Sequence, residues 1–359
     1  MSSSTLAAPA LPDSEVVLTD ADLAVADEAY RGLTATPRTL SPWLFYDEAG
    51  SDLFEQITRL PEYYLTRTER AIFTTHAEEI MQAVLQAPVQ NPDSILAASL
   101  NSAPTHITLA ELGAGTATKT GILLKALAAA QPHVLYQPID ISPTALDEAR
   151  ESIEREIPAV TVASQVANYI TDPFTIDRPA NTRILALYIG SSIGNFSPTE
   201  AREILQNLAA QLQPGDALLL GTDLAPGNSK SVETLLAAYD DDAGVTAAFN
   251  RNILTRINRD LTANFDPNSF RHRAIWNPID SRIEMHLESL INQTAHIPAT
   301  AATPALNLHF KAGETIHTEN SYKFTPPAIA SLLTDSGFHP TRTFTDPNSL
   351  FAVTLATVS

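Results

Sequence analysis

Short apolar runs alternate with helical stretches between residues 107 and 222. The runs predicted as strands are 107–112, 133–139, 160–166, 183–189 and 217–222. Helices are predicted between them over 118–130, 142–154 and 199–212, and Ser142 followed by Pro143 is a typical helix start. Because strands that alternate with helices form parallel sheets, we expect an open, doubly wound α/β domain.

The region before this block has a different pattern. Residues 1–13 have the composition of a flexible tail. Helices are predicted over 20–32, 52–59 and 66–86, and Pro61 should end the second of them. Residues 87–106 are polar, contain proline and are rich in alanine, which indicates a surface insertion.

After residue 223 the pattern changes again. A long helical region is predicted over 229–261, and alternating strands follow over 270–277 and 281–292. The alanine-, threonine- and proline-rich stretch 295–306 is predicted as a loop. A helix over 327–337 and a strand over 350–358 close the chain. The change of pattern indicates a second domain, for which a chain of 359 residues has room.

The chain is acidic and contains no cysteine. Its 41 acidic and 22 basic side chains leave a formal charge of -19, which repels phosphate backbones and anionic lipids, so we expect no nucleic acid or membrane partner. The lack of cysteine excludes disulfides, thiolate nucleophiles and cysteine-ligated metals. With no apolar run of ~18 residues and no signal-like start, we expect a cytoplasmic protein, and we expect a monomer.

Three strand ends carry candidate chemistry, because open α/β sheets bind ligands at the carboxyl ends of their strands. The first is Glu111-Leu-Gly113-Ala-Gly115, a loop that suits a cofactor, although a plain strand-to-helix turn is the alternative. A nicotinamide fingerprint would have glycine where Thr118 stands. The second end carries Asp140, either a ribose acceptor or a loop acid, and the third carries Asn195, either a ligand contact or a turn asparagine.

Several long motifs are more specific than any one of these loops. They are FYDEAGSDLFEQITRLPEYYLTRTE, ELGAGTATKT, GSSIGNFSP, GTDLAP, YDDDAGVTAAFNRNIL and IHTENSYKF. On these motifs the chain resembles the bacterial L-histidine Nα-methyltransferases, which make trimethylhistidine (hercynine) on the route to ergothioneine. The resemblance implies three successive methyl transfers from S-adenosylmethionine to the α-amine of L-histidine and its mono- and dimethyl forms, without a metal.

We also expect a division of the chain into two domains. A Rossmann-like, S-adenosylmethionine-dependent methyltransferase domain would comprise residues 67–226 and 323–359. A smaller α+β substrate-binding domain would comprise residues 14–66 and 227–322. The site would lie between the two domains.

For the cofactor, the resemblance points to five positions. They are Gly113, Lys119, Asp140, Asn168 and Tyr169. Asn168 departs from the family, which tends to have aspartate there to accept from the adenine amino group. The carbonyl oxygen of asparagine can still accept that hydrogen bond. Lys119, taken alone, is equally well explained as an exposed side chain.

For histidine, the resemblance places Tyr46, Tyr63, Asn195 and Tyr239 around the amino-acid backbone, with Gly190 beside the amine. Tyr46 or a water next to Gly190 would pass the proton. Glu319 and Ser321 would hold the imidazole, and Met285 would line its pocket. Buried polar groups of this kind select against an apolar side chain that leaves them unpaired.

Each of these residues also has an ordinary structural explanation. Tyrosines after a proline are usually packing residues, a Glu-x-Ser on an alternating segment is usually a solvated strand face, and a lone methionine usually fills space. Asp240–Asp242 would be a solvated helix face. The nine histidines show no metal-binding spacing, and His272 and His286 are interpreted as surface imidazoles.

Two other functions stay open at this point. One is methylation of another amino acid or amine, such as tryptophan. The other is a nicotinamide-dependent oxidoreductase, which Thr118 and the lack of a catalytic His/Arg or Tyr-x-x-x-Lys set disfavour.

Overall fold

The structure is a computed structural model that describes residues 18–86, 106–170 and 172–358. Its α-helices are α1 (Asp20–Thr34), α2 (Glu48–Ile57), α3 (Tyr64–Gln86), α4 (Thr120–Ala130), α5 (Pro143–Glu156), α6 (Pro198–Gln211), α7 (Val232–Tyr239), α8 (Val245–Leu261) and α9 (Pro326–Asp335). Its strands are β1 (Arg38–Thr39), β2 (His106–Leu112), β3 (Val134–Asp140), β4 (Val160–Val162), β5 (Gln165–Val166), β6 (Thr182–Tyr188), β7 (Ala217–Asp223), β8 (Phe270–Asn277), β9 (Arg282–Ser289), β10 (Gln293–Ile297), β11 (Leu306–Phe310), β12 (Thr315–Tyr322), β13 (Phe338–Thr345) and β14 (Phe351–Val358). Within these ranges no helix has the length and apolar character needed to cross a bilayer.

Two sequence predictions fall on residues without a description. The predicted flexible tail over 1–13 lies outside the described residues. So does the predicted insertion over 87–106, apart from His106, which is the first residue of β2.

The larger sheet has eight strands, ordered β13-β14-β7-β6-β2-β3-β4, with β5 paired to the carboxyl end of β3. The strands from β2 to β7 run parallel, and β14 and β13 are added antiparallel at one side. Along β6, Leu185 and Leu187 belong to one apolar core while Ile184 and Ala186 belong to the other. Apolar layers therefore cover both faces, as the uninterrupted apolar runs of parallel strands require. The predicted α/β class is confirmed.

The smaller sheet has the order β1-β12-β9-β8, in which β12, β9 and β8 are antiparallel. Strand β9 alternates strictly, with Ile283, Met285 and Leu287 buried and the residues between them half-buried. Its buried face packs against helix α8. The sheet therefore has one apolar face and one polar face.

A β-bulge in β12 changes which side chains face inward. The register with β9 shifts between His317 and Glu319, so the consecutive residues Thr318 and Glu319 are both buried. The Thr318 hydroxyl donates to Oδ1 of Asn250 on α8 at 2.7 Å and to the carbonyl oxygen of Met285 at 3.0 Å. These bonds hold the bulge, and beyond it Glu319 and Ser321 lie on the buried side of the sheet.

Several predicted elements differ from the structure. The helical region 229–261 is two helices, because Gly244 has a φ of +75° and Asp241 accepts the amides of Val245 and Thr246 at the start of α8. Asp241 is therefore buried and caps α8, whereas Asp240 and Asp242 are exposed. The prediction of a solvated helix face over 240–242 is wrong for Asp241, and none of the three residues is helical. Strand 160–166 is divided into β4 and β5. Helix α2 starts at Glu48, earlier than predicted, because the Asp47 carboxylate caps the amide of Gly50 at 2.8 Å.

The strands that the sequence analysis missed include the β10–β11 hairpin and β13. The predicted loop over 295–306 contains part of an antiparallel hairpin formed by β10 and β11. Strand β13 pairs with β14 at the end of the larger sheet. Both gain their pairing from a neighbouring strand rather than from a strong apolar pattern of their own.

Candidate active site

A cavity of about 550 Å³, counted to its open mouth, lies between the loop after β6 and the buried face of β9 and β12. Eight lining residues are those proposed from the sequence to face the substrate: Tyr46, Tyr63, Gly190, Asn195, Tyr239, Met285, Glu319 and Ser321. The other lining residues are Phe54, Ile57, Leu65, Ser191, Ser192, Ala238, Thr246 and Phe249.

Three tyrosines reach the cavity from separate parts of the chain. Tyr46 follows a 3-10 turn, Tyr63 directly precedes α3, and Tyr239 ends α7. Their rings pack edge to face on aromatic neighbours, and the centroids of Tyr63 and Tyr239 are 6.2 Å apart. Burial raises the pKa of all three phenols well above the ordinary value. At neutral pH they are hydrogen-bond donors and not phenolate bases.

One end of the cavity carries a carboxylate and a hydroxyl from β12. Glu319 lies opposite Met285 in the strand register. Burial raises the pKa of Glu319 to about 7, and the positive charge of Lys323 opposes this rise. Among the residues that the structure describes, no side chain donates a hydrogen bond to the Glu319 carboxylate. The oxygen atoms of Ser321 and Tyr239 are 2.7 Å apart.

A buried charge network lies beneath this end of the cavity. The ammonium of Lys323 lies 2.8 Å from the Tyr239 oxygen, 2.9 Å from Oγ of Ser321 and 2.8 Å from Oδ2 of Asp223. Asp223, at the end of β7, also accepts from Tyr64 at 2.9 Å and pairs with Lys230. The sequence analysis gave these residues no role, although the motifs GTDLAP and IHTENSYKF contain Asp223 and Lys323.

The loop after β6 brings backbone close to the cavity. Gly190 has a φ of +76°, which favours glycine, and a Cβ there would lie 3.1 Å from Nζ of Lys119. A 3-10 turn then ends at Asn195. Within the turn, a Cβ on Gly194 would lie 2.8 Å from the carbonyl oxygen of Tyr322. This close approach holds the turn, and Asn195 with it, against β12.

The predicted cofactor residues lie at the carboxyl ends of β2 and β3. The amide of Gly113, where φ is +68°, donates to the carbonyl oxygen of Ile139 at 2.8 Å. The carboxylate of Asp140 accepts the amides of Gly115 at 2.8 Å and Ser142 at 2.9 Å. These bonds fix the two loops together and leave each Asp140 oxygen a further lone pair for a ligand.

The last two predicted cofactor residues follow β5. The ring of Tyr169 packs edge to face on Tyr188, and its hydroxyl accepts from the Tyr188 hydroxyl at 3.2 Å. A Cβ added to Gly113 would lie 3.6 Å from the Tyr169 ring. The Asn168 side-chain oxygen accepts the amide of Ile170 at 3.1 Å. Tyr169 is thus next to the glycine loop, while Asn168 also shapes its own turn.

Comparison with known proteins decides the family. The profile of a family described as histidine-specific, S-adenosylmethionine-dependent methyltransferases matches residues 25–358. The chain belongs to this family. It is 42% identical over 325 residues to the histidine N-alpha-methyltransferase of Mycolicibacterium smegmatis, covering 90% of this chain and 92% of that protein. It is 39% identical over 334 residues to the histidine N-alpha-methyltransferase of Mycobacterium tuberculosis, covering 93% and 95%.

A more distant relative is the ergothioneine biosynthesis protein 1 of Schizosaccharomyces pombe. It is 27% identical over 288 residues, which cover 78% of this chain and 34% of that longer protein. The predicted resemblance to the histidine methyltransferases is confirmed. Membership of an S-adenosylmethionine-dependent family excludes the nicotinamide-dependent alternative.

Glu69 connects Lys119, a predicted cofactor residue, to the cavity of this methyltransferase, and sequence reasoning missed it. Its carboxylate, on α3, accepts the amide of Gly190 at 2.9 Å and pairs with Lys119. Gly221 leaves the space that this carboxylate fills, because a Cβ there would lie 2.2 Å from Oε1 of Glu69. One signal could have revealed Glu69: it is a charged residue on the buried face of a helix, inside one of the quoted motifs.

The interpretation of His272 and His286 as surface imidazoles is wrong. His272 is buried between Asn250 and the carbonyl oxygen of Tyr239. His286 lies in β9 and stacks on His317, with ring centroids 4.8 Å apart. Burial lowers the pKa of all three imidazoles. These histidines therefore belong to the packing of the smaller sheet.

His286, His317 and Glu284 form the one group in the described ranges whose ligand atoms lie close enough to hold a metal. The Glu284 carboxylate is already occupied, by Arg282 at 2.7 Å, Asn277 at 2.9 Å and His286 at 3.2 Å. These bonds lower the pKa of Glu284 to about 2. These bonds account for the Glu284 carboxylate, while Nδ1 of His286 is buried without a hydrogen-bond partner, and the group lies on the sheet face opposite the cavity.

Proposed function

We propose that this protein transfers three methyl groups, one at a time, from S-adenosylmethionine to the α-amine of L-histidine. The product is trimethylhistidine, or hercynine, on the route to ergothioneine. The observation that carries the proposal is the Glu319 carboxylate, buried in the cavity wall beside Ser321 and Tyr239, in a chain of this family. A carboxylate acceptor beside hydroxyl groups suits an amino acid whose side chain is imidazole.

In this proposal the two ends of histidine bind opposite parts of the cavity. Glu319 accepts a ring N–H, Ser321 bonds the other ring nitrogen, and Met285 packs against the ring. The substrate backbone lies among Tyr46, Tyr63, Asn195 and Tyr239, of which Tyr239 also bonds Ser321. The raised pKa values of Tyr46 and Tyr63 support this assignment, because protonated phenols donate to a carboxylate without adding a charge.

S-adenosylmethionine would bind across the carboxyl ends of β2, β3 and β5. Asp140 would accept from the ribose hydroxyls, and the open backbone at Gly113 would face the amino-acid part of the cofactor. Tyr169 and Asn168 would lie near the adenine. Lys119, held by Glu69 close to Gly190, would sit between cofactor and substrate. We also retain the division into a methyltransferase domain (67–226 and 323–359) and a substrate-binding domain (14–66 and 227–322).

The reaction needs positioning more than acid or base strength. The nitrogen lone pair forms a bond to the methyl carbon as the carbon–sulfur bond breaks, and the sulfonium leaves as a neutral thioether. Each transfer requires an amine without its extra proton, and a free α-amino group has a pKa of only ~8. The positive charge of the sulfonium favours the neutral amine. Tyr46, or water beside Gly190, would carry the released proton outward.

The remaining features follow from this chemistry. Because the leaving group departs as a neutral thioether, the transfer needs no Lewis acid, and we propose that it uses no metal. The net charge of -19 supports an enzyme of small molecules without nucleic acid or membrane partners. We further propose a cytoplasmic monomer.

Mass spectrometry of the product tests the function directly. Histidine and S-adenosylmethionine incubated with the protein should yield histidine carrying three added methyl groups, preceded by the mono- and dimethyl forms. Tryptophan offered in the same mixture should stay unmethylated. A Lys125→Ala variant, changed at an exposed side chain, is the matched control and should match wild type. Methylation of tryptophan in preference to histidine would overturn the proposal.

A further inference from the structure

We propose that Lys323 fixes the direction of the hydrogen bonds at the imidazole end of the cavity, so that Ser321 donates to the unprotonated ring nitrogen of histidine. The inference rests on the proposed function and adds a positioning residue that determines specificity. Lys323 reaches the substrate only through other side chains, since it lies behind the cavity wall.

The first step of the argument is the number of donors on Lys323. An ammonium carries three protons and accepts nothing. Its three acceptors are Asp223 at 2.8 Å, Tyr239 at 2.8 Å and Ser321 at 2.9 Å. The side chain is fully buried, so water does not compete for these protons. The Tyr239 and Ser321 oxygens therefore each accept one hydrogen bond from Lys323.

The second step concerns the bond between those two hydroxyls. Their oxygens are 2.7 Å apart, so one hydroxyl donates to the other. A phenol is the stronger acid and an aliphatic alcohol is the better acceptor, so Tyr239 donates to Ser321. Oγ of Ser321 has then accepted twice, which uses both its lone pairs. The only hydrogen-bonding capacity that Ser321 has left is its own proton.

The third step adds Glu319. Its carboxylate is an acceptor, while Ser321, two residues along the same face of β12, is now a donor. This pair matches a neutral imidazole, which has one N–H and one bare nitrogen. An indole has only the N–H, so it would leave the Ser321 donor unpaired in a buried site. Replacing Lys323 frees a lone pair on each hydroxyl, so the Ser321 hydroxyl can accept from the ligand and is no longer restricted to donating.

The test compares histidine with the two pyrrolylalanine isomers, which keep a ring N–H and have a CH in place of the bare nitrogen. For wild type, kcat/KM should favour histidine over the better isomer by roughly 10²-fold. In Lys323→Met this preference should shrink by about tenfold, because Ser321 can then turn its proton elsewhere. Parallel losses for both substrates, with the preference unchanged, would show that Lys323 only supports the fold.

Two variants separate an effect on hydrogen-bond direction from a general disturbance of the buried network. Asp223→Asn disturbs the same buried network but leaves Lys323 bonded to both hydroxyls, so the preference should remain near the wild-type value. In a Ser321→Ala background, Lys323→Met should cause no further loss of preference, since the donor is already gone. A further loss there would contradict the proposal.

A measurement on wild type covers the case in which Lys323→Met does not fold. The ¹⁵N shifts of ring-labelled histidine bound with S-adenosylhomocysteine should show one protonated and one hydrogen-bonded bare nitrogen. Two protonated nitrogens would overturn the inference while leaving the proposed function intact. If wild type neither binds nor methylates histidine, it is the proposed function that fails.

Discussion

Glu111 and Glu319 are both buried acids whose pKa burial raises to about 7, yet their surroundings differ. Glu111, inside the larger sheet, accepts from the Thr120 hydroxyl at 2.8 Å and from Tyr136. Across the described ranges, nothing comparable donates to Glu319, which faces the cavity. Burial with satisfied oxygens marks a structural acid, and burial with free oxygens marks a place for a ligand.

The largest expected effect is on activity at Glu319. Glu319→Ala removes the acceptor for the imidazole N–H, so kcat/KM for histidine should fall by roughly 10²–10³-fold. The melting temperature should change little, because no side chain in the described ranges donates a hydrogen bond to that carboxylate. Methylation assays and thermal unfolding of the same preparation check both parts. Near-normal turnover would remove Glu319 from the imidazole contact.

The next effect is on stability at Glu111. Glu111→Gln turns an NH₂ group toward donors that are already buried, so the free energy of unfolding should fall by about 1–3 kcal/mol. Glu319→Gln should lower the free energy of unfolding much less. Urea unfolding of the two variants beside wild type measures the difference. Equal losses would mean that Glu319 has a structural partner.

The smallest effect is a change in pH profile. A carboxylate with a pKa of about 7 is a full acceptor only when ionised, so KM for histidine should rise as the pH falls below 7. Glu319→Gln cannot titrate, and its KM should rise less over the same range. The imidazole and amine of free histidine titrate alike in both assays, so the difference between the two profiles isolates Glu319. Superimposable profiles would contradict the assignment.

A contrast between local and long-range signals explains which strands the sequence could predict. Strands β2 and β6 were found to within a residue because their continuous apolar runs are a local signal. Strand β13 carries two buried aromatics in eight residues, Phe338 and Phe344, and forms because β14 supplies its partner. The β10–β11 hairpin was missed for the same reason.

Within the site, sequence motifs identified the residues, and the fold determines how their side chains are oriented. Strict alternation from Ile316 would put Glu319 on the polar face of β12, and the bulge at Thr318 reverses this. Lys323 and Asp223 stand a hundred positions apart, with no local pattern to pair them. Contacts of this kind depend on how two sheets meet, which no single segment encodes.

The most direct measurement is a crystal structure of the protein with histidine and S-adenosylhomocysteine. The account predicts an imidazole nitrogen within ~3 Å of the Glu319 carboxylate and the α-amine beside Gly190, facing the sulfur. The other ring nitrogen should meet Ser321. An imidazole bound away from β12, or a cofactor away from Gly113 and Asp140, would contradict it.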